Sequence, residues 1–186
     1  GIGGFALAFA SKDALANIFG SIIIFTDRPF QVGDSVRISG NEGTVEEVGL
    51  RSTKIRTQEK TLITIPNSSI ANTVVENTSA RNLRRVNFSL GLKYSTPAEK
   101  IKNTVEAIRE ILKNHPEVDQ DYWFVNFHEF GASSLNLWIY YYTATTVLTQ
   151  NLEIKQQINF KIMEALEKMK VELAFPSTSV YLENLP

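Results

Sequence analysis

Two phenylalanines near the start of this chain, Phe5 and Phe9, have the type and spacing to control the passage of water. They are one helical turn apart, and at about 100° per residue they share a helix face with Ile2 and Lys12. If several copies of such a helix formed a ring with this face inward, the phenylalanines would make two stacked apolar collars. Apolar collars can close a water-filled path by dewetting.

Small residues flank this aromatic stripe on both sides, which predicts a close neighbouring helix on each side. Glycine costs about 1 kcal/mol relative to alanine in a helix, and close helix packing in a membrane is the usual reason to accept that cost. The alternative is a buried helix of a soluble core, or an ordinary subunit contact. The small residues are Gly1, Gly4 and Ala8 on one flank and Gly3, Ala6 and Ala10 on the other.

A charged pair, Lys12 and Asp13, interrupts the apolar run that extends to residue 25. A charge at the bilayer centre costs about 2.5–3.5 kcal/mol, so residues 1–25 are not expected to form one ordinary span. We therefore expect residues 1–11 to end a spanning helix, with a bend near Ser11–Asp13 and Asp13 as the cap of a second helix. Lys12 would line a vestibule below the collars, or else pair with Asp13 of a neighbouring copy or with a lipid headgroup.

The second helix, residues 14–25, is expected to lie along the membrane interface. It carries an apolar face that suits the boundary between headgroups and acyl chains. That face consists of Leu15, Ile18, Phe19, Ile22 and Ile23.

Composition excludes most enzyme classes. The chain has 186 residues, a net charge of −1, no cysteine and two histidines. We find no nucleophile–base set, phosphate loop or metal cluster in the sequence, so we expect no catalysis, no cofactor and no bound metal. Bulk charge gives no case for nucleic acid, and the basic residues Lys54, Arg56 and Lys60 lack nearby aromatic platforms for bases.

Residues 28–78 predict a small all-β domain. Arg28-Pro29-Phe30 breaks the preceding helix, and a hairpin signal follows at Gly40–Gly43. Five short strands in about 50 residues are typical of an Sm-like or SH3-like barrel. The predicted strands are 35–39, 44–50, 52–57, 62–65 and 73–77, with a helical turn at 68–71.

Residues 79–186 predict the order β-α-β-β-α-β of a ferredoxin-like α/β domain. Thr96-Pro97-Ala98-Glu99 has the form of a capping box with proline at the first helical position. The predicted strands are 84–94, 122–130, 135–143 and a C-terminal barrel strand at 180–182. The first predicted helix begins near residue 97, and the second extends from about residue 154 to 169.

Several short motifs, in this order, make the chain resemble the small-conductance mechanosensitive channel (MscS) family over nearly its whole length. The Gly-Gly and Lys-Asp pairs of the first helix more closely resemble the larger branch of this family, whose extra transmembrane helices would precede residue 1. The motifs are the Gly/Ala-rich helix ending at Asn17, Arg28-Pro29-Phe30, Val32-Gly33-Asp34, Gly43-Thr44-Val45, Ile65-Pro66-Asn67, Gly131–Asn136 and Phe175-Pro176.

The resemblance implies an α+β membrane channel fragment. Residues 1–27 would line the pore and the interface, and the two soluble domains would form a cytoplasmic cage. It further implies a homoheptamer that contacts lipids, passes ions and opens under membrane tension during hypoosmotic stress. The expected location is multi-pass in a bacterial inner membrane, with residues 28–186 cytoplasmic. Phe5 and Phe9 take the positions of the pore constriction, and Asp13 stands where the family often has a kink glycine. The alternative function is a membrane-attached oligomeric scaffold or ligand-binding module.

Overall fold

The computed structural model describes residues 1–177, which form two compact units, Gly1–Arg81 and the residues from Asn82 onward. The first unit begins with one long helix, α1 (Ile2–Asp27). Its C-terminal residue is followed by Arg28 in the left-handed conformation (φ 49°), whose N–H donates to the carbonyl oxygen of Ile24 at 3.0 Å. Pro29 cannot continue the helix, so the chain leaves it here.

A five-stranded antiparallel sheet completes the first unit, in the order β4-β3-β2-β1-β5. The alternation of buried Val36 and Ile38 with exposed Arg37 shows why β1 forms a strand with one face on the core. The predicted strands and the short helical turn are confirmed, with small shifts at their ends. The elements are β1 (Ser35–Ile38), β2 (Asn41–Val48), β3 (Ser52–Arg56), β4 (Leu62–Pro66), α2 (Asn67–Ala71) and β5 (Val75–Asn77).

The core of this unit includes one residue of the long helix. Ile24 is 3% exposed and packs with residues of all four longer strands and of α2. The helix and the sheet therefore share one hydrophobic core. The cluster contains Ile24, Phe30, Val36, Ile38, Val45, Ile55, Ile65 and Ile70.

The second unit is a three-stranded antiparallel sheet, in the order β6-β8-β7, with two helices. In each helix, apolar residues recur at a spacing of three or four positions, which buries one face. Ile154, Ile158 and Ile162 are examples. This is the strand order of a ferredoxin-like fold, as predicted. Its elements are β6 (Arg84–Leu92), α3 (Ala98–Lys113), β7 (Phe124–Phe130), β8 (Leu135–Thr143) and α4 (Leu148–Met169).

The free edge of β6 is occupied by the chain that follows α4. Leu173 bridges Leu92 in antiparallel fashion, and the N–H of Ala174 donates to the carbonyl oxygen of Gly91 at 2.9 Å. This is the position of a fourth strand in a ferredoxin-like sheet. The predicted strand at 180–182 lies outside the described residues.

The predicted capping box at the start of α3 is wrong. Pro97 is the N-cap residue, in an extended conformation, and no side chain caps the helix. Because proline fixes φ near −65°, it directs the chain into the first turn without the Thr96 hydroxyl.

Two buried titratable side chains of the second unit have shifted pKa values. The Tyr141 hydroxyl has no hydrogen-bond partner among the described residues, and burial raises the pKa of Tyr141. His115 is 3% exposed, and burial lowers its pKa, assisted by the nearby positive charge of Lys161. Hydrogen bonding to Gln157 and the charge of Glu117 oppose that shift.

Lowering the pH should therefore destabilise the second unit. His115 binds a proton less readily when folded than the unperturbed imidazole, whose pKa is about 6.5. The unfolded chain thus binds more protons as pH falls below about 6.5, and stability decreases through that window and then levels off below the folded pKa. Thermal unfolding midpoints of the purified protein, measured from pH 8 to pH 5, test this. His115→Gln should flatten the decrease, whereas the exposed-site variant His128→Gln should retain it. An equal decrease in His115→Gln would contradict the assignment.

Candidate functional site

Helix α1 is, among the described residues, the one helix long and apolar enough to cross a membrane by length and composition. Its 26 residues extend about 39 Å at 1.5 Å per residue. Only Asn17, Gly20 and Ile24 are buried in the protein. The rest of its surface is available to lipid or to other helices.

The helix is continuous from Ile2 to Asp27, so the predicted division into two helices near Ser11–Asp13 and the capping role of Asp13 are wrong. Neither glycine nor proline lies between Ser11 and Phe19 to break the backbone ladder. The Ser11 hydroxyl donates to the carbonyl oxygen of Leu7 at 2.9 Å, and the Asn17 amide donates to that of Asp13 at 2.8 Å. Both bonds connect residues one turn apart and leave the helix intact.

The aromatic stripe predicted from the sequence is exposed. Phe5 is 72% and Phe9 is 76% exposed, and the two lie about 6 Å apart along the axis. A Cβ atom added at Gly1, Gly3 or Gly4 would meet nothing within 4 Å. Ala6, Ala8 and Ala10 are exposed as well. The small residues on both flanks therefore have no packing partner within this part of their own chain.

Lys12 and Asp13 are also exposed, and neither forms an ion pair within residues 1–177. They lie one turn below Phe9 on the same helix. Any electrostatic partner they have lies outside residues 1–177.

The second half of α1 has the reverse of the pattern of a soluble amphipathic helix. Its buried side carries the polar Asn17 and the small Gly20 as well as Ile24, while most of its bulky apolar residues are exposed. A surface helix of a soluble protein buries its apolar stripe instead. The predicted interfacial residues Leu15, Phe19, Ile22 and Ile23 are 50%, 62%, 51% and 44% exposed, and Ile18 is half-buried.

The buried side of α1 rests on the start of α2. A Cβ atom at Gly20 would lie 2.5 Å from the carbonyl carbon of Asn67, so only glycine allows this approach. The Asn17 side-chain oxygen accepts from the backbone N–H of Ser68 at 3.1 Å and from its hydroxyl at 2.9 Å. We call these four residues, Asn17, Gly20, Asn67 and Ser68, the helix anchor.

Asn67 connects the helix anchor to the sheet. It is fully buried; its side-chain amide donates to the carbonyl oxygen of Gly49 at 2.8 Å, and its oxygen accepts from the Thr53 hydroxyl at 2.9 Å. Its backbone N–H donates to the carbonyl oxygen of Arg51 at 3.0 Å. A buried side chain with all these bonds is rigid, so movement of α1 at this point is transmitted to β3 and its turn.

The exit from α1 is fixed by a second set of contacts. The Asn77 amide donates to the carbonyl oxygen of Pro29 at 3.1 Å and to the Asp34 carboxylate at 2.9 Å. The same carboxylate accepts from the backbone N–H of Gln31 at 2.9 Å. The link between helix and sheet is therefore short and well bonded.

The sequence prediction missed the helix anchor. Asn17 and Asn67 belong to the motifs that carry the family resemblance, but no pattern in the sequence indicates that their neighbourhoods are in contact across 50 positions. The available signal was a polar residue followed three positions later by glycine, inside an otherwise apolar helix.

The surface basic residues of the sheet are paired with glutamates. Glu46 bonds the Arg56 guanidinium at 2.7 Å and Glu47 bonds the Lys54 ammonium at 2.7 Å, and these bonds raise the pKa of both basic groups. In residues 1–177 there is no cluster of three or more His, Cys, Asp or Glu that could hold a metal ion.

Two models of mechanosensitive channel domains match this chain. The family model for the mechanosensitive ion channel beta-domain matches residues 13–80, and the model for the C-terminal domain of the mechanosensitive ion channel MscS matches residues 86–173. The two matches together cover most of the chain.

Curated relatives match over almost all of this chain. It is 46% identical to the small-conductance mechanosensitive channel MscMJ of Methanocaldococcus jannaschii, covering 98% of this chain and 52% of the relative. It is 41% identical to the low conductance mechanosensitive channel YnaI of Escherichia coli, covering 100% of this chain and 54% of the relative. The chain thus spans about half the length of the curated relatives it matches.

Solved structures show the same fold. The crystal structure of Helicobacter pylori MscS in its closed state superposes with a TM-score of 0.79 at 29% identity, covering 100% of this chain and 72% of the other. The cryo-EM structure of Arabidopsis thaliana MSL1 A320V superposes with a TM-score of 0.87 at 24% identity, covering 95% of this chain and 66% of the other.

Filling the helix anchor should loosen α1 from the sheet. Gly20→Ala places a methyl group against the Asn67 backbone, and overpacking of this kind costs about 1–3 kcal/mol. We expect a lower thermal unfolding midpoint of the purified protein and faster proteolysis near Arg28. Ala14→Gly, at an exposed position of the same helix, should cost only the roughly 1 kcal/mol of helix propensity without increasing proteolysis. A Gly20→Ala protein as stable as the wild type would refute the anchor.

Proposed function

Because the chain belongs to the MscS family of mechanosensitive channels, we propose that it is the pore-lining and cytoplasmic part of an ion channel opened by membrane tension. Opening would release ions and small solutes under hypoosmotic stress. The observation that carries this proposal is the outward apolar surface of α1, with exposed phenylalanines between small residues that have no packing partner within residues 1–177.

The gate consists of Phe5 and Phe9. When copies of α1 pack around an axis with this stripe inward, each phenylalanine contributes to one apolar ring. A narrow apolar ring excludes water, and without water an ion cannot pass. The continuous helix supports this arrangement because Phe5 and Phe9 keep a fixed spacing and share a face.

The flanking small residues allow the gate to open. Gly1, Gly4 and Ala8 on one side and Gly3, Ala6 and Ala10 on the other let neighbouring helices approach closely and slide. Tension favours the state with the larger area in the membrane plane. Tilting and rotation of the helices would then withdraw the phenylalanines from the axis.

The second half of α1 couples the membrane to the sheet. Its exposed apolar residues suit contact with lipid at the interface, and the helix anchor joins its opposite side to Asn67 and Ser68. A force on these apolar residues therefore acts on the pore half and on the sheet at once. Lys12 would lie in the vestibule below the gate.

The assembly is a homo-oligomer, for which we propose seven copies as in the family. We place it as a multi-pass protein in a bacterial inner membrane, with residues 28–186 on the cytoplasmic side. Its partners are lipids and the ions that pass, and we propose no cofactor, enzymatic activity or nucleic acid.

Wetting the gate should make the channel easier to open. Phe9→Ser replaces an apolar ring by hydroxyls, so the constriction holds water at lower tension. Patch-clamp recording of the full-length protein in liposomes, under graded suction, should show a lower threshold than for wild type. Leu7→Ser is the matched control because Leu7 lies on the opposite side of the helix; its threshold should stay closer to wild type. Equal thresholds for wild type and Phe9→Ser would refute the gate.

Bulky residues on the small flanks should make the channel harder to open. Gly4→Leu or Ala8→Leu obstructs sliding of neighbouring helices, so the threshold tension in the same recordings should rise. A threshold that is unchanged in both variants argues against sliding on these faces. Silence of the wild-type protein up to membrane rupture would instead favour a membrane-attached scaffold.

A further inference from the structure

The sheet of the second unit has one face covered by helices and one face open. Along β8, residues 135, 137, 139, 141 and 143 are buried under the helices, and the residues between them are half-buried on the other face. Trp138, Tyr140 and Tyr142 therefore line the open face. Antiparallel sheets usually present polar residues on an open face, so an aromatic one requires an explanation.

The aromatic rings of this open face form one continuous surface. The rings of Phe124 and Tyr140 stack with centroids 5.0 Å apart, and the Phe124 and Trp138 rings meet edge to face at 5.0 Å. The Tyr122 ring adjoins Tyr140 at 5.7 Å. We call this surface of Tyr122, Phe124, Trp138, Tyr140 and Tyr142 the aromatic face.

Several polar groups of the aromatic face have partners on the open side of the sheet. The Trp138 indole N–H donates to the Asn87 side-chain oxygen at 2.6 Å, and the hydroxyls of Tyr140 and Tyr142 are bonded to each other at 2.7 Å. These bonds are kept when the face is covered by apolar side chains, which lowers the cost of covering it.

Helix α4 carries a second exposed surface of the same character. Leu148, Leu152 and Met163 are 54%, 53% and 55% exposed, although the helix buries a full apolar face on its other side. With two uncharged polar residues they form a stripe at spacings of four, four, three and four residues. We call it the α4 stripe: Leu148, Leu152, Gln156, Asn159 and Met163.

The two surfaces lie on different sides of the unit. The buried side of α4, with Ile154, Ile158 and Ile162, packs in the core against the covered face of the sheet. The α4 stripe lies on an exposed flank of the helix, about 100° around its axis from the buried side, and the aromatic face lies on the uncovered face of the sheet. One copy cannot bring its own two surfaces together, but two copies can.

We propose that the aromatic face of one copy packs against the α4 stripe of the next copy. Both surfaces are uncharged at their centres, and each copy supplies one of each, so neither is left over when the contact repeats. A head-to-tail contact between different surfaces generates a ring when its rotation closes. The proposal rests on the oligomeric assembly of the proposed function but not on gating by tension.

Disulfide cross-linking tests this contact directly, because residues 1–186 contain no cysteine. Asn126 and Ser89 are exposed on the two sides of Trp138 in the sheet register, and each can be replaced by cysteine. Each replacement is combined with Leu152→Cys or Gln156→Cys. The full-length protein, with any cysteine outside residues 1–186 changed to serine, is oxidised in membranes and examined on a denaturing gel.

At least one of the four pairs should give a ladder of three or more linked chains, and every single-cysteine variant should remain a monomer. When Glu164→Cys, on another side of α4, is used in place of Leu152→Cys, the ladder should disappear. Dimers from single-cysteine variants would indicate a two-fold contact and overturn the proposal. A ladder from none of the four pairs would overturn it too.

A second measurement does not depend on disulfide geometry. Leu152→Glu places a charge in the centre of the contact, so native mass spectrometry of the full-length protein should show loss of the wild-type oligomer. The neighbouring control Glu153→Gln should retain it. If Leu152→Glu keeps the oligomer, and tension-gated currents persist, the interface proposal fails while the proposed function stands.

Discussion

The close contact of Gly20 with Asn67 is the constraint on which the first unit depends. Helix α1 buries a polar asparagine and a glycine while it exposes most of its bulky apolar residues. This is favourable only if the buried asparagine is hydrogen-bonded to protein and the exposed apolar residues are kept out of water. Asn17 satisfies the first condition through Ser68. Contact with lipid or with further copies would meet the second condition, because transfer of apolar surface out of water is favourable in free energy.

This arrangement explains why the helix and the sheet belong to one unit. Ile24 contributes to the core of the sheet, and Asn77 and Asp34 bond the turn that leaves the helix. An apolar helix joined by a flexible linker could move without consequence for the sheet. Here three separate sets of contacts join them: the helix anchor, the burial of Ile24 and the bonds of Asn77 and Asp34 to the turn after the helix.

The second unit is built differently, with two layers that leave both outer surfaces partly apolar. Its core is complete without a partner, because the buried residues of α3, α4 and the sheet pack together. The aromatic residues on the open face of the sheet are thus not needed for that core. Their mutual stacking and satisfied polar atoms suit a surface that is to be covered by another chain.

The sequence by itself determined most of the strands and helices after Asp27 and their two-part order, because strand alternation, helical spacing and turn residues act over a few positions. Its short motifs, in their order, showed the resemblance to the family. It also located the exposed stripe of Phe5 and Phe9. The continuity of α1 through Lys12 and Asp13 was decided by backbone hydrogen bonds, which two charged residues do not break. Only the tertiary structure brought Asn17 and Gly20 to Asn67 and Ser68, and separated the buried from the open residues of β8. The meeting of α1 with α2, and the choice of which alternating residues of β8 the helices cover, both depend on contacts between distant positions. A local sequence period does not specify such contacts.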